Sequence, residues 1–457
     1  MLINFRVENF RSFRGEIEFT ALATAERQHR ERVFHHAPGK LSVLPITAFY
    51  GGNSSGKSSL YLALKFARHL IVRGGVKPED RIAREPFRLD PACMLAPSRF
   101  GFDLLIDGRQ VRYGFTVTHE HVIEESLELL KADTYRPVFR RTRSGSKLEW
   151  DPTSFKILKL ESEQDEFVRF KGRDTLANEL FLGAVRGRNI PLLEEVGDWF
   201  KNQLVLIDPH TEFRPAEFNL SQIKAFRSYC LDSLARADTG ISQITNEPVP
   251  LDAVRIPKEI ANKIINDLES GKENNVILMR GPDRTRYMFT REDGVTKAYK
   301  LTTSRKDSAG NPVLFDIADE SEGTERLIDL LPAFYELTAP DTGKVFFIDE
   351  LDRSLHTHLT RKLIEAFLAS RTSESRTQLL FTTHDPLLLD QELLRRDEVW
   401  FITKQSDGHS SLTALSDFKG VRNDKDIRKS YLLGRFDGLP AVRSFPTPSP
   451  ELASAVE

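Results

Sequence analysis

Three groups of residues in this chain have the types and spacing to do phosphate chemistry. In "FYGGNSSGKSSL", residues 49–60, four residues separate Gly51 from Gly56, and Lys57 and Ser58 follow. That is the spacing of a P-loop, whose successive backbone N–H groups converge on a polyphosphate at a helix N-terminus. Gly51, Gly52, Asn53, Ser54, Ser55 and Gly56 would line the cradle, with Ser59 just beyond it. Lys57 would reach the β- and γ-phosphates and the Ser58 hydroxyl would ligate Mg2+. The second group is "VFFIDE", residues 345–350. Four apolar residues bring Asp349 to the carboxyl end of a buried strand, where it can hold the Mg2+ shell, and leave Glu350 to polarise an attacking water. The third is "LLFTTHD", residues 379–385, which sets His384 at the end of another apolar strand. A neutral imidazole there could bond the γ-phosphate and hold the water. Taken singly, each is an ordinary loop or strand end; their shared location at strand ends makes them a set.

The elements that must position these residues are legible around them. "SVLPITAFY", residues 42–50, has the β-branched and aromatic content of a buried strand, and Leu60, Leu64, Ala67 and Ile71 recur at helical spacing until Gly74 and Gly75 stop the helix. Alternation at Ile3, Phe5 and Val7, and again in "GEIEFTAL", predicts two strands before the P-loop. "FGFDLLIDGRQVRYGFTV", residues 100–117, alternates on both sides of Asp107-Gly108 and predicts an antiparallel hairpin. The basic run "YRPVFRRTRSGSK", residues 135–147, reads as a solvated hairpin with a Ser-Gly turn. "LLEEVGDWFKNQL", "FNLSQIKAFRSYCLDSLARAD" and "PKEIANKIINDLESG" step by three and four and predict helices between 176 and 275. A further hairpin is expected over about 276–303, after which β/α alternation resumes near 344. The tail "SFPTPSPELASAVE", residues 444–457, has little to bury and reads as disordered.

Composition narrows the class. With 40% hydrophobic and 29% charged residues the chain can bury a large core as a water-soluble protein. A net charge of −2 gives no global field for nucleic acid, so any such contact needs a local patch. Cys93 and Cys230 stand in no C-x-x-C or Cys/His spacing, which indicates neither a disulfide framework nor a zinc site. The N-terminus alternates instead of showing a signal-peptide core, and no apolar run approaches the roughly 18 residues of a membrane span. The expected place is therefore the cytoplasm, away from membranes.

The order of P-loop, "SEGT" (Ser321 to Thr324), "FFIDE", "SLH" (Ser354 to His356) and "FTTHD" resembles the ABC-class ATPases of the RecF, SMC/Rad50 and OLD group. "VENFRSFRG" near the start and "YLLGRFDGLP" near the end narrow the resemblance to the AAA15 family, which includes the ATPase of the PARIS phage-defence system. The resemblance implies an α/β fold: an ABC-type P-loop NTPase head with a mixed parallel and antiparallel sheet and an inserted helical region. It implies ATP as the nucleotide, with Mg2+, and a head-to-tail dimer or higher oligomer in which Ser321 and Gly323 oppose the γ-phosphate of a second subunit. The expected organisation is head residues 1–175, a helical insert over 176–275, the remainder of the head over 276–443, and the tail. "EPFRLDP", residues 85–91, fills the interval where the family's coupling loop is expected but has no glutamine. The stretch after His384 reads as too short for a Toprim nuclease, so the resemblance points to a separately encoded Toprim-like nuclease or toxin as partner and a phage-encoded trigger. A RecF-like ATPase that clamps DNA, and a nucleotide-gated scaffold, are the alternatives.

Overall fold

The computed structural model describes residues 1–36, 41–145, 147–210, 213, 215–270, 276–339, 342–421, 426–436 and 438. The tail expected over 444–457 lies outside the described residues. At the centre is a six-stranded sheet in the order Leu204–Ile207, Val345–Ile348, Gln378–Thr383, Ile46–Tyr50, Val399–Lys404 and Ser410–Ala414. The first five strands run parallel and the last is antiparallel. Parallel pairing places Ile207, Ile348, Thr383 and Tyr50 at one common edge, so the residues that follow each of them are neighbours.

The apolar runs of these strands exist because both faces are covered. Phe49, Phe347, Leu380 and Ile402 point into one core, shared with the helix Lys57–Val72 and a seven-stranded antiparallel sheet. Ala48, Phe346, Ile348, Phe381 and Phe401 point into the other, under the helices Lys224–Arg236, Glu322–Thr338 and Thr357–Ala369. The antiparallel sheet contains the expected strands Leu2–Glu8 and Ile17–Thr20 and the hairpin Ser98–Ile106/Arg109–Val117. Its turn takes φ of 47° at Asp107 and 75° at Gly108, the positive pair that a two-residue hairpin needs. The basic run forms the hairpin Thr134–Ser144/Lys147–Trp150 at the sheet's edge. A third sheet gathers Gln243–Val249, Val276–Arg280, Arg286–Glu292, Val295–Lys306 and Pro312–Asp316 over the small core of the helix Lys258–Ser270. No helix among the described residues is long and apolar enough to cross a membrane.

One stretch departs from its periodicity. The helical reading of Leu192–Leu204 holds through Gln203, as an α-helix Pro191–Asp198 followed by a π-turn Trp199–Gln203. Leu204 then begins the strand that flanks Val345–Ile348. Trp199 and Phe200 are fully buried in the wide turn, and burial of these rings together with strand pairing overrides the helical pattern.

Gln378 stitches the central sheet to the antiparallel one. Its amide accepts from the Leu2 N–H at 2.7 Å and donates to the carbonyls of Leu2 at 3.0 Å and Leu44 at 3.1 Å, all buried. Gln378→Met keeps the volume but strands those backbone groups, and should cost about 2–3 kcal/mol. A urea melt should show a lower midpoint at unchanged slope. An unchanged midpoint would mean that the packed rings alone join the sheets.

Candidate functional site

The loop 51–56 turns sharply out of its strand, with positive φ at Ser54 (62°) and Gly56 (115°). A Cβ at Gly56 would come within 2.6 Å of Ser410 Oγ and 2.7 Å of Ser12 Oγ, so only glycine fits there. The loop is braced from outside: the Ser410 hydroxyl donates to the Ser55 carbonyl at 2.5 Å, and the Gly52 N–H donates to the Gly438 carbonyl at 2.7 Å. Lys57 folds back across the loop, its Nζ donating to the Gly51 carbonyl at 2.6 Å and the Gly52 carbonyl at 3.1 Å. Burial pulls the Lys57 pKa down, while Glu350, Asp349 and Asp352 pull it back up. An ammonium resting on loop carbonyls is positioned to exchange them for phosphate oxygens.

The two acids occupy different environments. Asp349 is 3% exposed and its Oδ1 accepts from the Thr382 hydroxyl at 2.6 Å, with the Ser58 hydroxyl near enough to lower its pKa. Burial raises its pKa above the usual carboxylate range, against the lowering effect of those two hydroxyls. Glu350 follows with φ of 50°, its N–H donating to the same Thr382 hydroxyl at 2.7 Å, and its carboxylate lies 3.9 Å from Arg353 Nη1. His384 is mostly solvent-exposed, and its Nδ1 stands 3.2 Å from Asp352 Oδ2. The other oxygen of Asp352 is buried without a hydrogen-bond partner.

These residues fit a magnesium nucleotide. The Ser58 hydroxyl lies near enough to Asp349 to hold its pKa down, and Mg2+ favours such sparse protein ligation because phosphates and waters complete its shell. Among the described residues there is no cluster of three or more His, Cys, Asp or Glu side chains that could hold a metal.

Ser321 and Gly323 lie elsewhere. Ser321 caps the helix Glu322–Thr338, its Oγ accepting from the Thr324 N–H at 3.2 Å. A Cβ on Gly323 would be 2.7 Å from the Ser354 carbonyl, so the "SEGT" and "SLH" segments are in backbone contact. His356 caps the next helix, its Nδ1 accepting from the His358 N–H at 3.1 Å. The "EPFRLDP" segment runs beside the N-terminal strand's exit, with Glu85 paired to Arg11 at 2.5 Å, and shares a cleft with Ser12 and Ser59. Sequence reasoning missed Thr382 and Asp352; the hydroxyl in "FTTHD" and the second acid in "DELD" were the available signals.

Residues 46–390 match the family described as "AAA domain, putative AbiEii toxin, Type IV TA system". Among solved structures, the SMC head domain from Thermotoga maritima is similar at 11% identity and a TM-score of 0.37, covering 90% of this chain and 98% of that one. An SmcHead bound to the C-winged helix domain of ScpA gives 12% and 0.35, covering 91% and 99%. At such scores the likeness is distant, and the fold stands on the sheet order described above. Among curated proteins, none matches.

Thr382 orders both acids from one hydroxyl. Thr382→Val should lower kcat by about 10- to 100-fold, the worth of hydrogen bonds to charged groups, while leaving KM for ATP within a few-fold. Thr382→Ser should restore most of the rate. Steady-state kinetics showing equal loss in both variants, or a change in KM alone, would remove the hydroxyl from this role.

Proposed function

Since the chain belongs to this AAA-domain family, we propose that it binds and hydrolyses ATP with Mg2+, and that the cycle restrains or releases a separately encoded toxin in defence against phage. The observation that carries the catalytic part is the common edge of three adjacent parallel strands, which brings Lys57, Asp349, Glu350 and His384 to one place. Ser58 and Asp349 would hold the metal, whose charge would offset that of the phosphates. Lys57 turns from the Gly51 and Gly52 carbonyls to the β- and γ-phosphates. Glu350, the more exposed acid, takes a proton from water as the water oxygen bonds the γ-phosphorus and the bond to ADP breaks. His384, steadied by Asp352, bonds the γ-phosphate. Ser321 and Gly323 of a second copy close the site from the opposite side.

The link to defence is supported by the family's description, which names a toxin and a toxin–antitoxin system, and by the sequence resemblance to defence ATPases; that the toxin is a separate chain rests on the resemblance alone. The partner that fits is a Toprim-like nuclease, released when a phage-encoded trigger arrives.

Glu350→Gln should bind ATP normally, turn over at least about 100-fold more slowly, and accumulate an ATP-dependent dimer or larger species in light scattering. Adding Ser321→Arg should abolish that species. Association that ignores ATP, or survives Ser321→Arg, would sink the two-subunit site. For the regulatory part, co-expression with the product of the neighbouring gene under phage challenge should arrest growth only when Lys57 is intact; arrest indifferent to Lys57→Ala would separate the ATPase from any toxin.

A further inference from the structure

Beside Glu350, on the side away from the P-loop, lies a polar cleft of about 240 Å³ between the end of the strand Leu204–Ile207, the first turns of the helix Glu322–Thr338 and the "SLH" segment. Arg280, Arg284, Arg326, Arg353, His210 and Ser354 line it. Its carboxylates are largely engaged already. Glu325 pairs with Arg284 at 2.5 Å, Asp329 with Arg286 at 2.5 Å, and Glu322 is exposed at the helix start.

Arg326 differs from the other cations. It is only 6% exposed, and its Nε and Nη2 are buried with no hydrogen-bond partner. A guanidinium carries five donors and cannot shed its charge; Asp329, Asp208 and Glu350 act on it through space, but none bonds these two nitrogens, and leaving them dry is costly unless an anion comes to them. Burial holds its pKa below the usual arginine range, the mark of that desolvation. Arg353 links the cleft to the catalytic edge, with one Nη1 at 3.0 Å from His210 Nε2 and 3.9 Å from Glu350.

We propose that this cleft is a binding site for a tetrahedral oxyanion, the inorganic phosphate formed by hydrolysis, held by Arg326 and Arg353. The cleft, at about 240 Å³, has room for a phosphate. The direction is set by the chemistry: attack is in line, the water enters on the side of Glu350, and phosphate is left on that side, facing Arg353. The inference rests on the hydrolysis proposed above for its source of phosphate, but not for the site itself.

The test uses the full chain with Lys57→Met, which removes the P-loop's own cation, titrated with inorganic phosphate by calorimetry. One saturable site is expected, weakened at least about tenfold by adding Arg326→Gln and kept by adding Arg326→Lys, with thermal melts to confirm folding. Added phosphate should also inhibit wild-type ATP turnover, and Arg326→Gln should relieve that inhibition. Absence of saturable phosphate uptake by Lys57→Met, or equal affinity with Arg326→Gln, overturns the proposal. Should Arg326→Gln fail to fold, loss of phosphate affinity in a folded Arg353→Gln variant supports the site, and unchanged affinity there counts against it. Phosphate binding without any ATP turnover would defeat the hydrolysis reading and leave the cleft standing. If Arg326→Gln abolishes ATP-dependent association while phosphate affinity is unchanged, the oxyanion is instead the γ-phosphate on a second copy, and the proposal fails.

Discussion

The Thr382 hydroxyl is the point on which the catalytic edge depends. It donates to Asp349 and accepts the N–H of Glu350, so one side chain on the neighbouring strand fixes two consecutive acids. Glu350 has a positive φ of 50°, a conformation that costs a non-glycine residue on the order of 1 kcal/mol or more. The N–H bond to Thr382 offsets that cost and sends the Glu350 side chain out of the strand's alternation. Without the twist, the two carboxylates would share a fate in the dry strand end. With it, one stays buried against Thr382 and the other reaches water beside Arg353.

That division also resolves an electrostatic difficulty. Asp349, Glu350 and Asp352 crowd one edge, and the buried cation among them is Lys57, whose own pKa is lowered by burial. Like charges at this distance disfavour ionisation, which is part of why Asp349 titrates high. The arrangement is unfavourable as an isolated structure and favourable around added positive charge. Such a conflict between local stability and composition is what functional sites look like in otherwise consistent folds. Other buried pairs show the contrast: Arg141 with Glu125, and Arg395 with Asp397, are closed on themselves.

How much of this was legible depended on how local each signal is. The P-loop and "VFFIDE" were readable because each is a contiguous string whose neighbours fix its secondary structure, and the Asp107-Gly108 hairpin because turn chemistry is local too. The strand Leu204–Ile207 was not, since four apolar residues after a helical pattern carry no period of their own. Its identity is conferred by pairing with Val345–Ile348, some way along the chain. The role of Thr382 was hidden for the same reason: its partners Asp349 and Glu350 sit on another strand, and only the parallel register brings them together. The cleft around Arg326 gathers residues from positions 209 to 354 and leaves no trace in any single segment.

The contact of Gly323 with the Ser354 carbonyl gives the proposed two-subunit site a mechanical consequence. Because no side chain separates them, the start of the helix Glu322–Thr338 and the segment after Glu350 cannot shift independently without opening a gap or a clash. Arg326 lies on that helix and Arg353 on that segment, both facing the same cleft. If Ser321 meets the γ-phosphate of a second copy, the pull is transmitted through one backbone contact to Arg353, which stands beside Glu350 of its own chain. Occupancy of one site would then bear on Glu350, the proposed water-activating acid, and on the arginines of the proposed phosphate site of the other. A Cβ at 323 would come within 2.7 Å of the Ser354 carbonyl, so any larger residue there would break the contact on which this coupling depends.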